Sequence, residues 1–161
     1  MGFYNTAQVC LNGHTITCDI TSSSLKEKYC SKCGAETIIA CPNCNSPIRG
    51  RYEVEGVISI GYNYEPPSYC HNCGKPFPWI ESAFVAAKEL IDEDMQELND
   101  DEKTKFKNAL PDIIANTPRT TFSATRITKY LKKITPTVQE TFKQIFYRFA
   151  TDVAKALLWG G

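Results

Sequence analysis

The sequence reads as an α+β chain, with a turn-rich N-terminal half held by cysteines and an α-helical C-terminal half. Three observations predict this. All eight cysteines and both histidines lie between residues 10 and 73. Pro76 and Pro78 close that region at "KPFPWIESAF". From residue 80 onward apolar residues recur at helical spacing.

The N-terminal half is organised by C-x-x-C pairs: Cys30 and Cys33, Cys41 and Cys44, Cys70 and Cys73. Gly34, Asn45 and Gly74 follow them, the residue types that best tolerate the left-handed conformation such a tight turn needs. Two cysteines two residues apart in a knuckle can reach one ion together, and a structural zinc site takes four such ligands. Three knuckles supply six ligands, so two full sites need a further pair near the N-terminus. "VCLNGHTITC" offers Cys10, His14 and Cys18. Cys10 and His14 flank a turn containing Asn12 and Gly13, which lets the longer imidazole reach back to the ion. Alternation in "TITCDI" puts Ile16, Cys18 and Ile20 on one strand face and Thr15, Thr17 and Asp19 on the other, so Cys18 reads as a small buried hydrophobe. His14 is therefore favoured over Cys18, and His71, inside a filled knuckle, reads as a solvent-facing neighbour.

Four pairs match in three ways. Sequential pairing gives Cys10, His14, Cys30 and Cys33 at a first zinc and Cys41, Cys44, Cys70 and Cys73 at a second. Crossed pairing would make a ring-finger-like cross-brace, and nested pairing would join the first pair to the last. Loop closure only mildly favours the sequential choice. Strand signals favour it more: Arg51 to Val54 and Val57 to Ile60 can form a hairpin across Glu55 and Gly56, the shape of a zinc ribbon. The expected organisation is two small tandem zinc ribbons, residues 1–38 and 39–79, then a bundle of about four helices over 80–161. Two zinc ions per chain follow.

Each helix has its own signals. Phe84, Ala87, Ile91, Met95 and Leu98 form the stripe of a first. Asn99 stands as N-cap of a second, with Glu102 as its capping-box partner and Phe106, Leu110, Ile113 and Ile114 as its apolar face. "ANTPRTT" interrupts, and Ile127, Tyr130, Leu131 and Ile134 mark a third. Thr135 can cap a fourth that opens on Pro136 and runs to about residue 158, with a broad face of Val138, Phe142, Ile145, Phe149, Val153 and Ala156, widened by Phe146 and Leu157.

The stretches "AQVCLNGHTI", "YCSKCG", "CPNCNSPIRG", "YCHNCGKPFPW", "AAKEL" and "LPDIIANTPRT" resemble a bacterial two-zinc-ribbon family known as a domain of unknown function. The resemblance is strongest from Ala7 to Thr120. It implies zinc ribbons followed by helices, with ligands at the positions named above, and supplies no activity. The family pattern has no fixed cysteine at the place of Cys18, which fits its reading as a hydrophobe.

The 161 residues carry a formal net charge of zero, so no overall field favours nucleic acid or an anionic membrane. Residues 81–116 hold four Lys/Arg against ten Asp/Glu, and residues 117–161 hold eight against two. Acidic helices packed beside basic ones account for this. The sharper alternative leaves Arg126, Lys129, Lys132 and Lys133 free for phosphates or an acidic partner. The start "MGFYNT" lacks the basic and apolar parts of a secretory signal, and no run approaches the eighteen or so apolar residues of a membrane span, so the chain reads as cytoplasmic. Gly2 and Thr6 also fit the short myristoylation pattern, a frequent chance match.

Two filled four-ligand sites leave no open position for substrate, and no nucleophile with an adjacent base accompanies them. The expectation is a non-enzymatic adaptor whose ribbons present a binding surface and whose helices dock a protein partner or self-associate. Nucleic acid is the alternative partner, through Tyr52, Tyr62, Tyr64, Tyr69, Phe77 and Trp79 interleaved with Arg49, Arg51 and Lys75. A membrane is the least favoured.

Overall fold

The computed structural model describes residues 1–22 and 24–160. The chain divides into two compact units, Met1–Glu81 and Ser82–Gly161. The first contains five short strands: β1 (Gly2–Thr6), β2 (Gln8–Cys10), β3 (Thr15–Thr17), β4 (Thr37–Ile38) and β5 (Arg49–Val54). They form a three-stranded sheet in the order β3-β2-β4 and a two-stranded sheet of β1 with β5. The expected ribbons 1–38 and 39–79 share this unit, because β1, at the start of the chain, pairs antiparallel with β5, which follows Cys44.

That pairing corrects the expected hairpin. Glu55 and Gly56 do turn the chain, and the Val57 N–H donates to the Val54 carbonyl at 3.1 Å, but residues 57–60 form no strand. Strand β1 offers β5 better side-chain partners. Tyr4 lies opposite Tyr52 with ring centroids 4.9 Å apart, and the Arg49 guanidinium sits 4.5 Å from the Tyr4 ring. Cross-strand aromatic pairs of this kind stabilise a ladder more than the small aliphatic faces of Val57 and Ile60 would.

The buried apolar residues of this unit include Ala7, Val9, Ile48, Phe77, Trp79 and Ile80. The Phe77 and Trp79 rings stack with centroids 4.7 Å apart, and the Trp79 indole N–H donates to the Pro67 carbonyl at 3.1 Å, satisfying its polar edge. Two glycines are required by these close approaches. Gly13 has φ +84°, and a Cβ there would lie 2.9 Å from the Trp79 Cβ; a Cβ at Gly50 would lie 2.0 Å from the Cys18 carbonyl oxygen.

The alternation expected through "TITCDI" stops at Thr17. Cys18 is only half-buried, and Asp19, expected to face outward, is 7% exposed. Its carboxylate accepts from the Ser22 hydroxyl and from both the hydroxyl and the N–H of Thr21, an Asx turn that replaces the strand. Those bonds, the Ser22 hydroxyl first and the Thr21 hydroxyl next, pull the Asp19 carboxyl down to about 2. A depressed carboxylate stabilises the fold above its unfolded value near 4, and that contribution is lost as pH falls toward 2. Asp19→Asn is expected to cost about 1–2 kcal/mol at pH 7, allowing for solvent screening, and melting of the metal-loaded protein checks it.

The second unit holds most of α1 (Pro78–Asp94), then α2 (Asp100–Ile114), α3 (Thr120–Leu131), α4 (Pro136–Phe146) and α5 (Asp152–Trp159). Ala83, Ala87 and Ile91 are buried along α1, and Met95 and Leu98, expected to extend its stripe, are buried just past its end. The capping box of α2 is formed: Asn99 accepts from the Glu102 N–H at 2.9 Å, and Glu102 accepts from the Asn99 N–H at 3.1 Å. Thr135 precedes Pro136 at the start of α4 but makes no side-chain cap bond.

The long fourth helix expected over 136–158 is two helices, for a total of five among the described residues. The Thr151 N–H donates to the Ile113 carbonyl at the end of α2, at 2.9 Å, instead of continuing the helix. Its hydroxyl then caps α5 by accepting from the Ala154 N–H. The buried positions are Phe142, Phe146, Ala150 and Ala154, whereas Val153 and Leu157, expected inside, are exposed. The Phe142 ring lies 5.2 Å from both Phe106 and Phe146, making the centre of this unit aromatic. Two ion pairs, Lys133 with Glu102 and Arg119 with Asp112, join the basic segment to the acidic one. None of the described helices is long and apolar enough to cross a membrane.

Candidate metal centres

Each C-x-x-C pair sits in the same knuckle. The first cysteine carbonyl accepts from the N–H four residues on, at 2.7 Å from Gly34, 2.8 Å from Asn45 and 2.9 Å from Gly74. The first cysteine N–H returns a bond to the carbonyl five residues on, in Ala35, Ser46 and Lys75 respectively. Gly34, Asn45 and Gly74 have φ of 73°, 62° and 71°. These are the left-handed positions that glycine and asparagine occupy at low cost. The remaining pair uses a different turn: the Gly13 N–H donates to the Cys10 carbonyl and the Cys10 N–H to the His14 carbonyl, which folds His14 back over Cys10.

These turns bring eight side chains into two groups. Cys10, His14, Cys30 and Cys33 form one, and Cys41, Cys44, Cys70 and Cys73 the other, with all ligand atoms of a group within 4.8 Å of one another. Each group could hold a metal ion. The sulfurs are too far apart for disulfides, at 3.7 Å for Cys10 and Cys33, 3.8 Å for Cys41 and Cys73, and 3.6 Å for Cys44 and Cys70. A tetrahedral ion with bonds of about 2.3 Å to sulfur and about 2.05 Å to nitrogen has S···S edges of about 3.75 Å and S···N edges of about 3.55 Å. The His14 Nδ1 lies 3.5 Å from the Cys10 sulfur and 3.6 Å from the Cys30 sulfur. The separations given above match the edges of such a tetrahedron in both groups, with Nδ1 as the histidine donor.

The knuckles also set the electrostatics. Cys33 is pulled down to about 6, chiefly by the Ala35 N–H and then by the Asn12 amide, whose Nδ2 lies 3.3 Å from its sulfur. Cys44 is pulled down to about 5 by the Ser46 hydroxyl and N–H, and the Lys75 N–H lowers Cys73. Burial raises Cys10 and pushes Cys41 up to about 11. The first group therefore sets a lowered, exposed Cys33 against a raised, buried Cys10, and the second sets lowered Cys44 and Cys73 against a raised, buried Cys41. Asn12 and Ser46 as sulfur partners were not read from the sequence; their place beside a ligand in a turn is the signal that could have found them.

Cys18 belongs to neither group, and its carbonyl accepts from the Arg51 N–H at 3.0 Å. His71 is exposed. Among the aromatics of the first unit, Phe77 and Trp79 are core, and the Tyr64 hydroxyl donates to the Arg49 carbonyl at 2.7 Å. Tyr52 and Tyr62 remain exposed. Of the basic residues set among them, Arg51 pairs with Glu53 and Lys75 donates to the Asn43 side chain at 3.0 Å.

Residues 3–158 match the model of a family described as an uncharacterized protein conserved in bacteria (DUF2321). No curated protein and no solved structure matches the chain.

Proposed function

The chain belongs to that family conserved in bacteria, and from this premise we propose that it is a zinc-binding, non-enzymatic adaptor. Zinc is the metal whose usual structural donor sets are three cysteines with one histidine, or four cysteines, at the edge lengths found here. Four protein donors complete each tetrahedron, which leaves the ion a structural role. Free thiols at every ligand cysteine suit a reducing cytoplasm.

The observation that supports adaptor work is an exposed apolar strip beyond β5. Val57, Ile58 and Ile60 are 64%, 89% and 94% exposed, and Tyr62, Tyr52 and Tyr4 are also exposed. Clustered apolar residues on a small metal-stapled unit are the composition of a protein-binding surface. A nucleic-acid role for this unit is the weaker reading, because Arg51 is neutralised by Glu53 and Lys75 is engaged by Asn43.

The test is a photocrosslinking amino acid at position 60 in the producing cell. One dominant protein adduct is expected, either a partner or a second copy of the chain. Ile58→Asp in the same background should remove it while leaving the metal count and melting temperature unchanged. An adduct pattern indifferent to Ile58→Asp, or scattered over abundant proteins, would overturn the reading.

A further inference from the structure

On the outer side of α3, Phe122, Arg126 and Lys129 stand four and three residues apart and so share one helix face. The opposite face is committed to the core through Ser123, Ala124, Ile127 and Leu131. Together with Thr125, Tyr130 and Lys105 from α2 they line an open concavity of about 410 Å³, within the range that small-molecule sites occupy. Phe122 is 53% exposed, with the Arg126 guanidinium 4.6 Å from its ring centroid and that of Arg119 5.6 Å away.

The charges around it are unbalanced. Arg119 is paired with Asp112 and Lys105 with Asp101, while Arg126 and Lys129 form no ion pair among the described residues. Two unneutralised cations beside an exposed aromatic ring make a compound surface: the ring and the planar guanidinium offer a stacking platform, and the cations offer a seat for phosphate. A carboxylate-bearing peptide would use the cations and leave the ring idle.

We propose that this concavity binds a nucleoside phosphate, free or as one residue of a single strand, with its base stacked on Phe122 and its phosphate on Arg126 and Lys129. The site contains none of the cysteine ligands and does not depend on the adaptor reading, which concerns the first unit.

The test uses the full, metal-loaded chain. A fluorescein-labelled deoxythymidine decamer is followed by anisotropy over a salt series, and AMP by calorimetry. Binding of the decamer should weaken with salt. In the variant Arg126→Ala with Lys129→Ala, which loses the one phosphate seat, the slope of log affinity against log salt should shrink by about 0.7. Phe122→Ala should weaken binding about five- to tenfold at unchanged slope, and Phe122→Tyr should restore it. AMP binding that competes with the decamer assigns the free nucleotide; decamer binding alone assigns the strand. Helical circular dichroism confirms that each variant is folded, and Phe122→Tyr serves if the alanine variant is not. Failure of both probes to bind, indifference to these substitutions, or equal competition by an oligoglutamate peptide would overturn the proposal.

Discussion

Cys41→Ser is expected to reduce the metal count by native mass spectrometry from two ions to one and to unfold the segment that carries the second group, Cys41 to Cys73. The apolar residues of the first unit are few, and its sheets have only two and three strands, so its own burial offers little margin. Metal binding at structural zinc sites of this type is worth about 10–16 kcal/mol at neutral pH, comparable to or larger than the whole stability of a small domain. The amide protection of the segment from Cys41 to Cys73 should collapse, while the first group keeps its ion and helical ellipticity from residues 82–161 survives. Cys18→Ser is the control and should keep both ions, since Cys18 lies outside both groups. A Cys41→Ser protein that still carries two ions would sink the assignment. The thiols add a pH dependence. Without metal, Cys41 is held protonated by burial whereas Cys44 is ionised, so metal uptake releases protons and affinity falls as pH falls. Calorimetry in buffers of different ionisation enthalpy reads that release directly.

Phe142→Ala is expected to destabilise the helical unit by about 3–5 kcal/mol, the cost of removing a buried phenyl ring and leaving a cavity. Phe142 is 0% exposed and its ring meets those of Phe106, Phe146 and Trp159. The sequence pattern puts Phe149 on the same face, but it is only half-buried, and Phe149→Ala should cost less than half as much. Urea unfolding followed by helical circular dichroism separates the two. Equal costs would mean that the aromatic centre is not where α4 places it.

What the sequence displayed most clearly were features encoded within a few residues. The knuckles at Cys30, Cys41 and Cys70 carry ligand spacing and turn residue together. The Asn99 and Glu102 box marks the start of α2 by local hydrogen bonding alone. The β1 and β5 pairing was hidden because it joins residues about fifty positions apart, and a local turn at Glu55 and Gly56 offered a nearer partner for the same strand. The break between α4 and α5 was masked differently. Phe142, Phe146, Ala150 and Ala154 stay buried straight through it, so apolar periodicity does not register the interruption. The Thr151 and Asp152 cap was the visible signal, and its cause, a bond to Ile113 on another helix, lies outside any local window. Asp19 escaped for a related reason: alternation describes a strand, and the hydroxyls of Thr21 and Ser22 end the strand by offering its carboxylate something better.

The lacing of β1 to β5 joins the start of the chain to a strand about fifty residues on, so β1 has no partner until that strand has been made. All four donors of the first metal group have emerged once Cys33 is made, so that centre can close early. Strand β1 waits for Arg49–Val54, and with an ion in the first group its end would be tethered to a fixed metal knot. Because the knot shortens the loop to be closed, β1 docks at lower entropic cost than a free terminus would. Cys41 and Cys44 are confined by that docking before Cys70 and Cys73 exist to complete their centre. The N-terminal strand would then serve as a latch, closing after the first ion is captured and before the seat of the second is complete.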